Sequence, residues 1–297
     1  NSIFNKLNIE FINLNLVIGS FGNHEHISAL LRANKYGLRK QKNLYLLLPK
    51  SAQLRNPAYF KYFKPHLNVV EDDIEIKNMK NLEKILTVPT DLCMTFKNQT
   101  PIAAIAENIL ESQRIKLKLE RSLFQLDEED QVKGKEVLRK LGLKDGDWYV
   151  TMHVREPTYR NETYANSNDK FRSANPMDYL KSVNAITKAG GWVFRMGDPS
   201  MKKLPPDPHV IDYAHHEIRS DWMDVFLGAT CRFCITTSSG YYAIPMSFGV
   251  PVLATNFLFY STYYTFTEQD LFLPRILVDE NKQALKLEDC MTPPYSM

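Results

Sequence analysis

Between residues 148 and 255 the chain repeats one pattern: a short apolar run, a polar or glycine-bearing break, then an amphipathic stretch. The spacing predicts strands at 148–154, 192–196, 209–213, 232–236 and 250–255, and helices at 176–189, 221–230 and 241–248. Strands that alternate with helices are joined by crossovers and so lie parallel, and a parallel sheet is stable only with both faces covered. Pro176 suits the first turn of its helix and Gly190-Gly191 its end, whereas Pro245 fits 241–248 poorly. The first third repeats the pattern with a strand at 11–18, a loop at 19–25 and a helix at 26–36 stopped by Gly37. The fully apolar strand 43–49, a strand at 67–70 and helical patterns at 81–86 and 101–125 come next. Asp127 to Asp130 gives the helix that ends at Gly142 an acidic first turn, as the helix dipole favours. The expectation is an α/β protein of two open parallel-sheet domains, 1–125 and 126–297, facing each other across a cleft.

A net charge of +3 in 297 residues gives no footprint for nucleic acid or a membrane surface. The basic clusters Lys35–Lys42 and Arg114–Arg121 read as solvated faces. No run approaches the ~20 apolar residues that span a bilayer. Four cysteines in a chain this long are expected to be thiols in a reducing compartment, so a cytoplasmic location is expected. The chain opens on Asn1 and ends at Met297, and segments beyond either end are left open.

Loops at the carboxyl ends of parallel strands are where open α/β sheets bind ligands, and three here carry suitable chemistry. Gly19-Ser20-Phe21-Gly22-Asn23-His24-Glu25 has two glycines that permit close backbone approach, ahead of a helix N-terminus that favours anions. It also reads as a tight turn, and lacks the third glycine of the dinucleotide fingerprint. His153-Val154-Arg155 ends a strand with two side chains on one side, the arginine being a rigid fork for phosphate oxygens. Thr236-Thr237-Ser238-Ser239-Gly240 offers hydroxyls at a helix start, of which an ordinary N-cap uses one. Between them, Arg195-Met196-Gly197-Asp198 ends a strand in a carboxylate suited to a ribose or base edge, or simply to a turn.

On these residues the chain resembles known families. Gly19-x-Phe21-Gly22-Asn23 and His153-Val154-Arg155 are similar to motifs of GDP-fucose-dependent fucosyltransferases, and Gly197-Asp198 and Ser238-Ser239 fall in the order of that family's later motifs. Residues of about 145–256 resemble a family of bacterial glycosyltransferases, through Gly191 to Pro199, Val210 to His215, Ser220 to Asp224 and Phe248 to Pro251. The resemblance implies the GT-B architecture of two Rossmann-like domains, a metal-independent transfer and a role for each matching residue. Arg155 would pair with the donor β-phosphate, and His153 and Asp198 would contact the nucleoside. Ser238 and Ser239, with Thr237 and Gly240, would cradle phosphate, while Gly22 and Asn23 would approach from the first domain. The donor would be a nucleotide sugar, GDP-fucose being favoured, and the acceptor a glycan or other hydroxyl. Glu156-Pro157 stands where many fucosyltransferases have a second arginine, a charge that Arg160 or Arg195 would replace.

Transfer with inversion needs a base on the acceptor hydroxyl, for which Glu25, then His24, are the candidates. Asp145-Gly146-Asp147 has the form of a metal-holding motif but precedes its strand and reads as a turn. Cys231 and Cys234 read as buried thiols, His215-His216 as loop residues, and Asp221 and Asp224 as dipole-favoured residues behind the cap Ser220. Other chemistry on this scaffold, such as nucleotide-sugar epimerisation or pyruvyl transfer, stays open, as does non-catalytic nucleotide or carbohydrate binding.

Overall fold

The computed structural model describes residues 8–86, 93–96, 100–103, 113–156, 172–257, 267, 269–286 and 289. In the amino-terminal part three parallel strands, β1 (Ile9–Phe11), β2 (Asn43–Leu47) and β3 (Asn68–Val70), pair in chain order. The expected strand 11–18 is shorter than its apolar run. Only Ile9–Phe11 pairs, and Asn15–Ile18 forms a helical turn, α1, whose first amide is held by the Asn13 side chain at 2.9 Å. The helices α2 (His24–Lys35), α3 (Pro57–Phe63) and α4 (Asp73–Leu86) complete this half. Of the helix expected at 101–125, the described residues are helical only over 113–116. Thr100–Ala103 is a strand, β5, antiparallel to β4 (Cys93–Phe96), and residues 119–127 run without regular structure. Arg114 and Arg121, expected in solvent, are buried. Arg114 donates to Leu119 O at 2.7 Å, and Arg121 pairs with Asp270 and donates to Val250 O at 2.6 Å.

Beyond α5 (Glu128–Lys140) lies a six-stranded sheet made of β6 (Tyr149–His153), β7 (Trp192–Arg195), β8 (Val210–Ile211), β9 (Cys234–Thr236), β10 (Val252–Phe257) and β11 (Leu271–Pro274). All its pairings are parallel, in the spatial order β11-β10-β9-β6-β7-β8. This is the doubly wound order, and the winding reverses between β6 and β9. The helices α6 (Leu180–Lys188), α7 (Asp221–Thr230) and α8 (Ala243–Ser247) cover it. Strand alternation divides β6 between two cores. Val150, Met152 and Val154 pack with Val183 and Ile186 of α6, while Tyr149 faces Phe226 and Leu227 of α7.

One apolar cluster joins the two sheets, from Ile12, Val17 and Leu30 through Tyr59 and Phe63 to Phe226, Tyr241 and Ile244. Helix α3 is its keystone. The Tyr59 hydroxyl donates to Ala243 O at 2.8 Å and lies 2.7 Å from Ser247 Oγ, which in turn meets Ser28 Oγ at 3.2 Å. Alongside, Asp130 accepts from Tyr62 Oη and Trp222 Nε1, each at 2.7 Å, and from Lys61 Nζ at 3.1 Å. Burial raises the Asp130 pKa, but these donors outweigh it and hold the carboxyl below its usual range. Tyr59→Phe strands buried acceptors without removing apolar contact, so it is expected to lower unfolding free energy by about 1–3 kcal/mol in urea titration, with one cooperative transition retained.

Candidate functional site

The switch point carries a cavity of about 500 Å³. In register, His153 at the end of β6 lies beside Thr236 at the end of β9, so the loops after these strands are neighbours. Arg155 N donates to Thr237 Oγ1 at 2.9 Å, tying one loop to the other. The Gly19 loop arrives from the other sheet. A Cβ added to Gly22 would stand 3.2 Å from Gly240 Cα, and one added to Gly240 would overlap the Gly22 amide. The three loops singled out by sequence therefore meet. Ser20, Phe21, His153, Arg155, Gly197, Asp198, Ser239 and Gly240 all contribute to the wall.

Other walls come from residues to which the sequence assigns no site role. Arg55 lies beyond β2 in the chain and stands 5.7 Å from the Phe21 ring. Arg172 donates from Nε to Ser238 O at 3.0 Å. Arg219 donates from Nε to Gly197 O at 3.2 Å and lies 3.6 Å from Asp198. Asp221 and Asp224, on the first turn of α7, and Tyr241 complete the lining. The charged residues among them each have an adequate local explanation as a loop cation or helix-start acid. The three-residue spacing of Asp221 and Asp224, on one face of a helix behind a strand-end loop, is the usable signal.

The remaining expected residues have other neighbours. Every hydroxyl of 236–239 has a partner within the chain. Thr236 donates to Thr237 O, Thr237 receives Arg155 N, Ser238 Oγ lies 3.3 Å from Arg172 Nε, and Ser239 caps Tyr241 N. Next in the chain stand a 3₁₀ turn, Gly240–Tyr242, and the five-residue α8, so the long helix expected at 241–248 is short. Asn23 holds its own loop, donating to Asn15 O at 3.3 Å and accepting from Ser20 Oγ at 3.3 Å. Arg195 is wholly buried behind the cavity, paired with Glu156 and, at 3.1 Å, with Asp212. Glu156 also accepts from Lys202 N at 3.1 Å, which gives the residue after His-x-Arg a bracing role. Glu25 pairs with the buried Arg32, and His24 is enclosed by Phe21, Tyr59 and Phe63, so neither lines the cavity. Arg160 lies outside the described residues.

Electrostatics separates the cavity's titratable groups. His153 stacks on Tyr241 at 5.7 Å, and burial, with Arg195 and Arg155, lowers its pKa to about 4. It is neutral at pH 7. Burial raises the Asp198 carboxyl, but Ser200, Arg219 and Arg55 more than compensate and hold it low. Asp224 goes the other way: burial lifts it to about 7 against the pull of Tyr213, Arg219 and Arg55. At the far end of β6, Asp145 pairs with Arg139 and Asp147 accepts from Lys144 N, the arrangement of a turn. Cys231 and Cys234 are buried free thiols. His215 lies 2.9 Å from Met201 O, and no described helix is long and apolar enough to cross a membrane.

No family model and no curated protein matches this chain. Solved structures do. The ADP-heptose LPS heptosyltransferase II of E. coli is 12% identical with a TM-score of 0.53, over 92% of this chain and 91% of its own. A glycosyl transferase family 9 protein from Veillonella parvula DSM 2008 is 13% identical with a TM-score of 0.53, over 92% and 89%. At such identities the likeness is one of fold, and with the parallel sheets it fits the GT-B type.

His24, like His153, has a pKa lowered to about 4 by burial. The unfolded chain therefore binds protons that the folded one refuses, and the stability these residues contribute is present above pH 6.5 and lost as pH falls to about 4. Each is expected to steepen acid unfolding by up to about 1.4 kcal/mol per pH unit in that window. His24→Phe should flatten the slope measured by denaturant titration at pH 4–6.5. An unchanged slope would show that His24 is not buried neutral.

Proposed function

We propose that this protein transfers a sugar from a nucleotide-diphosphate donor to a hydroxyl acceptor, by a single inverting displacement and without a metal ion. The observation that carries this reading is the convergence of Arg55, Arg155, Arg172 and Arg219 on one cavity at the switch point of a GT-B-type fold. Guanidinium groups suit phosphate oxygens and retain their charge at any working pH. In the departing step they neutralise charge gathering on the diphosphate, the role a divalent ion fills elsewhere. Arg155 and Arg172, beside the β6 and β9 loops, are assigned to the diphosphate, and His153, Tyr241 and Asp198 to the nucleoside. Ser239 and Gly240 border the phosphates, with Gly22 and Asn23 shaping the opposite wall. Domains 1–125 and 126–297 supply the two sides, and a cytoplasmic, bacterial setting goes with the reading.

For the donor, the motifs around Gly19 and His153 favour GDP-fucose, while the fold neighbour from E. coli is named for ADP-heptose. A thermal-shift panel of GDP, ADP, UDP and CMP with their sugars separates these, because a ligand of the folded state raises apparent stability by mass action. Arg155→Ala is expected to weaken the selected nucleoside diphosphate roughly 10- to 100-fold by calorimetry, with EDTA leaving wild-type binding unchanged. Wild-type affinity in Arg155→Ala would remove the diphosphate assignment.

A further inference from the structure

Resting on that reading, we infer that Asp224 is the general base that takes the proton from the acceptor hydroxyl. The cavity wall carries carboxylates only at Asp198, Asp221 and Asp224 among the described residues. Asp198 is occupied by the Ser200 amide at 3.0 Å and by Arg219, so it is a poor proton acceptor. Asp221 is exposed on the outer end of the first turn of α7. Asp224 lies one turn deeper and half-buried, and makes no ion pair among the described residues. The groups facing it are Tyr213 from the turn after β8, Arg219 ahead of α7, Asp221 on its own helix, Arg55 from the other half and Tyr241 after β9. The Tyr213 ring is itself fully buried, and its hydroxyl receives Ser220 N at 3.0 Å, so the tyrosine that borders Asp224 is fixed in place.

This environment suits a base working near neutrality, since burial holds the Asp224 carboxyl at a pKa of about 7. In the step, the acceptor oxygen bonds to the anomeric carbon as the bond from that carbon to the β-phosphate oxygen breaks. The electron pair leaves with the nucleoside diphosphate, and the acceptor proton passes to the Asp224 carboxylate. Water takes that proton when the products depart. At limiting donor, kcat/KM is therefore expected to rise with pH through about 7, as the carboxyl of the free enzyme ionises.

The experiment compares wild type with Asp224→Asn, using GDP-fucose and ADP-heptose as donors. Water and azide are the nucleophiles, and GDP and ADP titrations report binding. Water must lose a proton to attack and azide need not. Asp224→Asn should bind nucleotide within about threefold of wild type, lose roughly 10²- to 10⁴-fold in hydrolysis, lose the pH limb near 7, and still form glycosyl azide. Retained hydrolysis, or hydrolysis and azide attack falling together while binding persists, overturns the base and leaves the glycosyl-transfer reading standing. Wild type that binds none of GDP, ADP and UDP and cleaves none of their sugar conjugates overturns that reading, and the base with it.

Discussion

The backbone contact between Gly22 and Gly240 is the constraint on which the cavity depends. These residues belong to loops from different sheets, and each approaches where a side chain on the other would stand. Neither has a left-handed φ, so the requirement is for space and not for backbone freedom. The contact brings Ser20 and Phe21 over the ends of β6 and β9, turning a sheet edge into an enclosed site. The same approach is held from behind by α3. Tyr59 reaches Ala243 and Ser247 in the helix that Gly240 introduces, and Asn56 donates to Asp221 O at 3.0 Å, at the start of the helix that carries Asp224. The keystone that joins the cores thus also sets the positions of two cavity walls.

Behind the site lies a second layer of buried charge. Arg195, with no solvent exposure, can be tolerated only because Glu156 and Asp212 accept from it. Glu156 also fastens Lys202 N and Asp212 fastens Leu204 N at 3.0 Å, so this cluster fixes the chain leaving β7. That chain includes Gly197, at φ +157 with Met201 packed where a side chain would project, and Asp198 at the cavity wall. An arginine at position 156 would face Arg195 instead of pairing with it. Glu156 therefore serves within this layer, while the arginines at 55, 172 and 219 stand in the cavity itself.

Much of this is legible in the residue order, and the failures have physical causes. The six-stranded sheet and the helix 221–230 arise from apolar runs and caps that agree with their tertiary context. The run 11–18 misleads because apolar residues packing against one core look alike in a strand and in a helical turn, and Asn13 tips the choice through one local hydrogen bond. The charged stretch 114–121 misleads because buried arginines paired through the tertiary fold look solvated in sequence. For the site, strand-end loops are readable since topology places them. Arg55 and Arg219 are not, because each reads as an ordinary loop cation and only the packing of α3 and α7 turns it toward the cavity.

The cavity's aspartates show how one residue type divides into different tasks. Asp198 and Asp224 share a wall and feel the same Arg219 and Arg55, yet their carboxyls move in opposite directions. The difference lies in local donors. Asp198 sits in a turn where the Ser200 backbone and side chain both support its charge, whereas Asp224 has chiefly a tyrosine hydroxyl against a larger desolvation. A carboxylate stabilised by fixed donors can hold a ligand's hydroxyls but resists protonation, while one with a tyrosine hydroxyl and then Arg219 and Arg55 set against burial can gain and lose a proton near neutrality. Because those arginines are also the groups suited to a diphosphate, an anion bound to them screens their charge from Asp224 and raises its proton affinity. Occupation of the cavity by an anion and basicity of the carboxylate are therefore coupled through the same guanidinium groups.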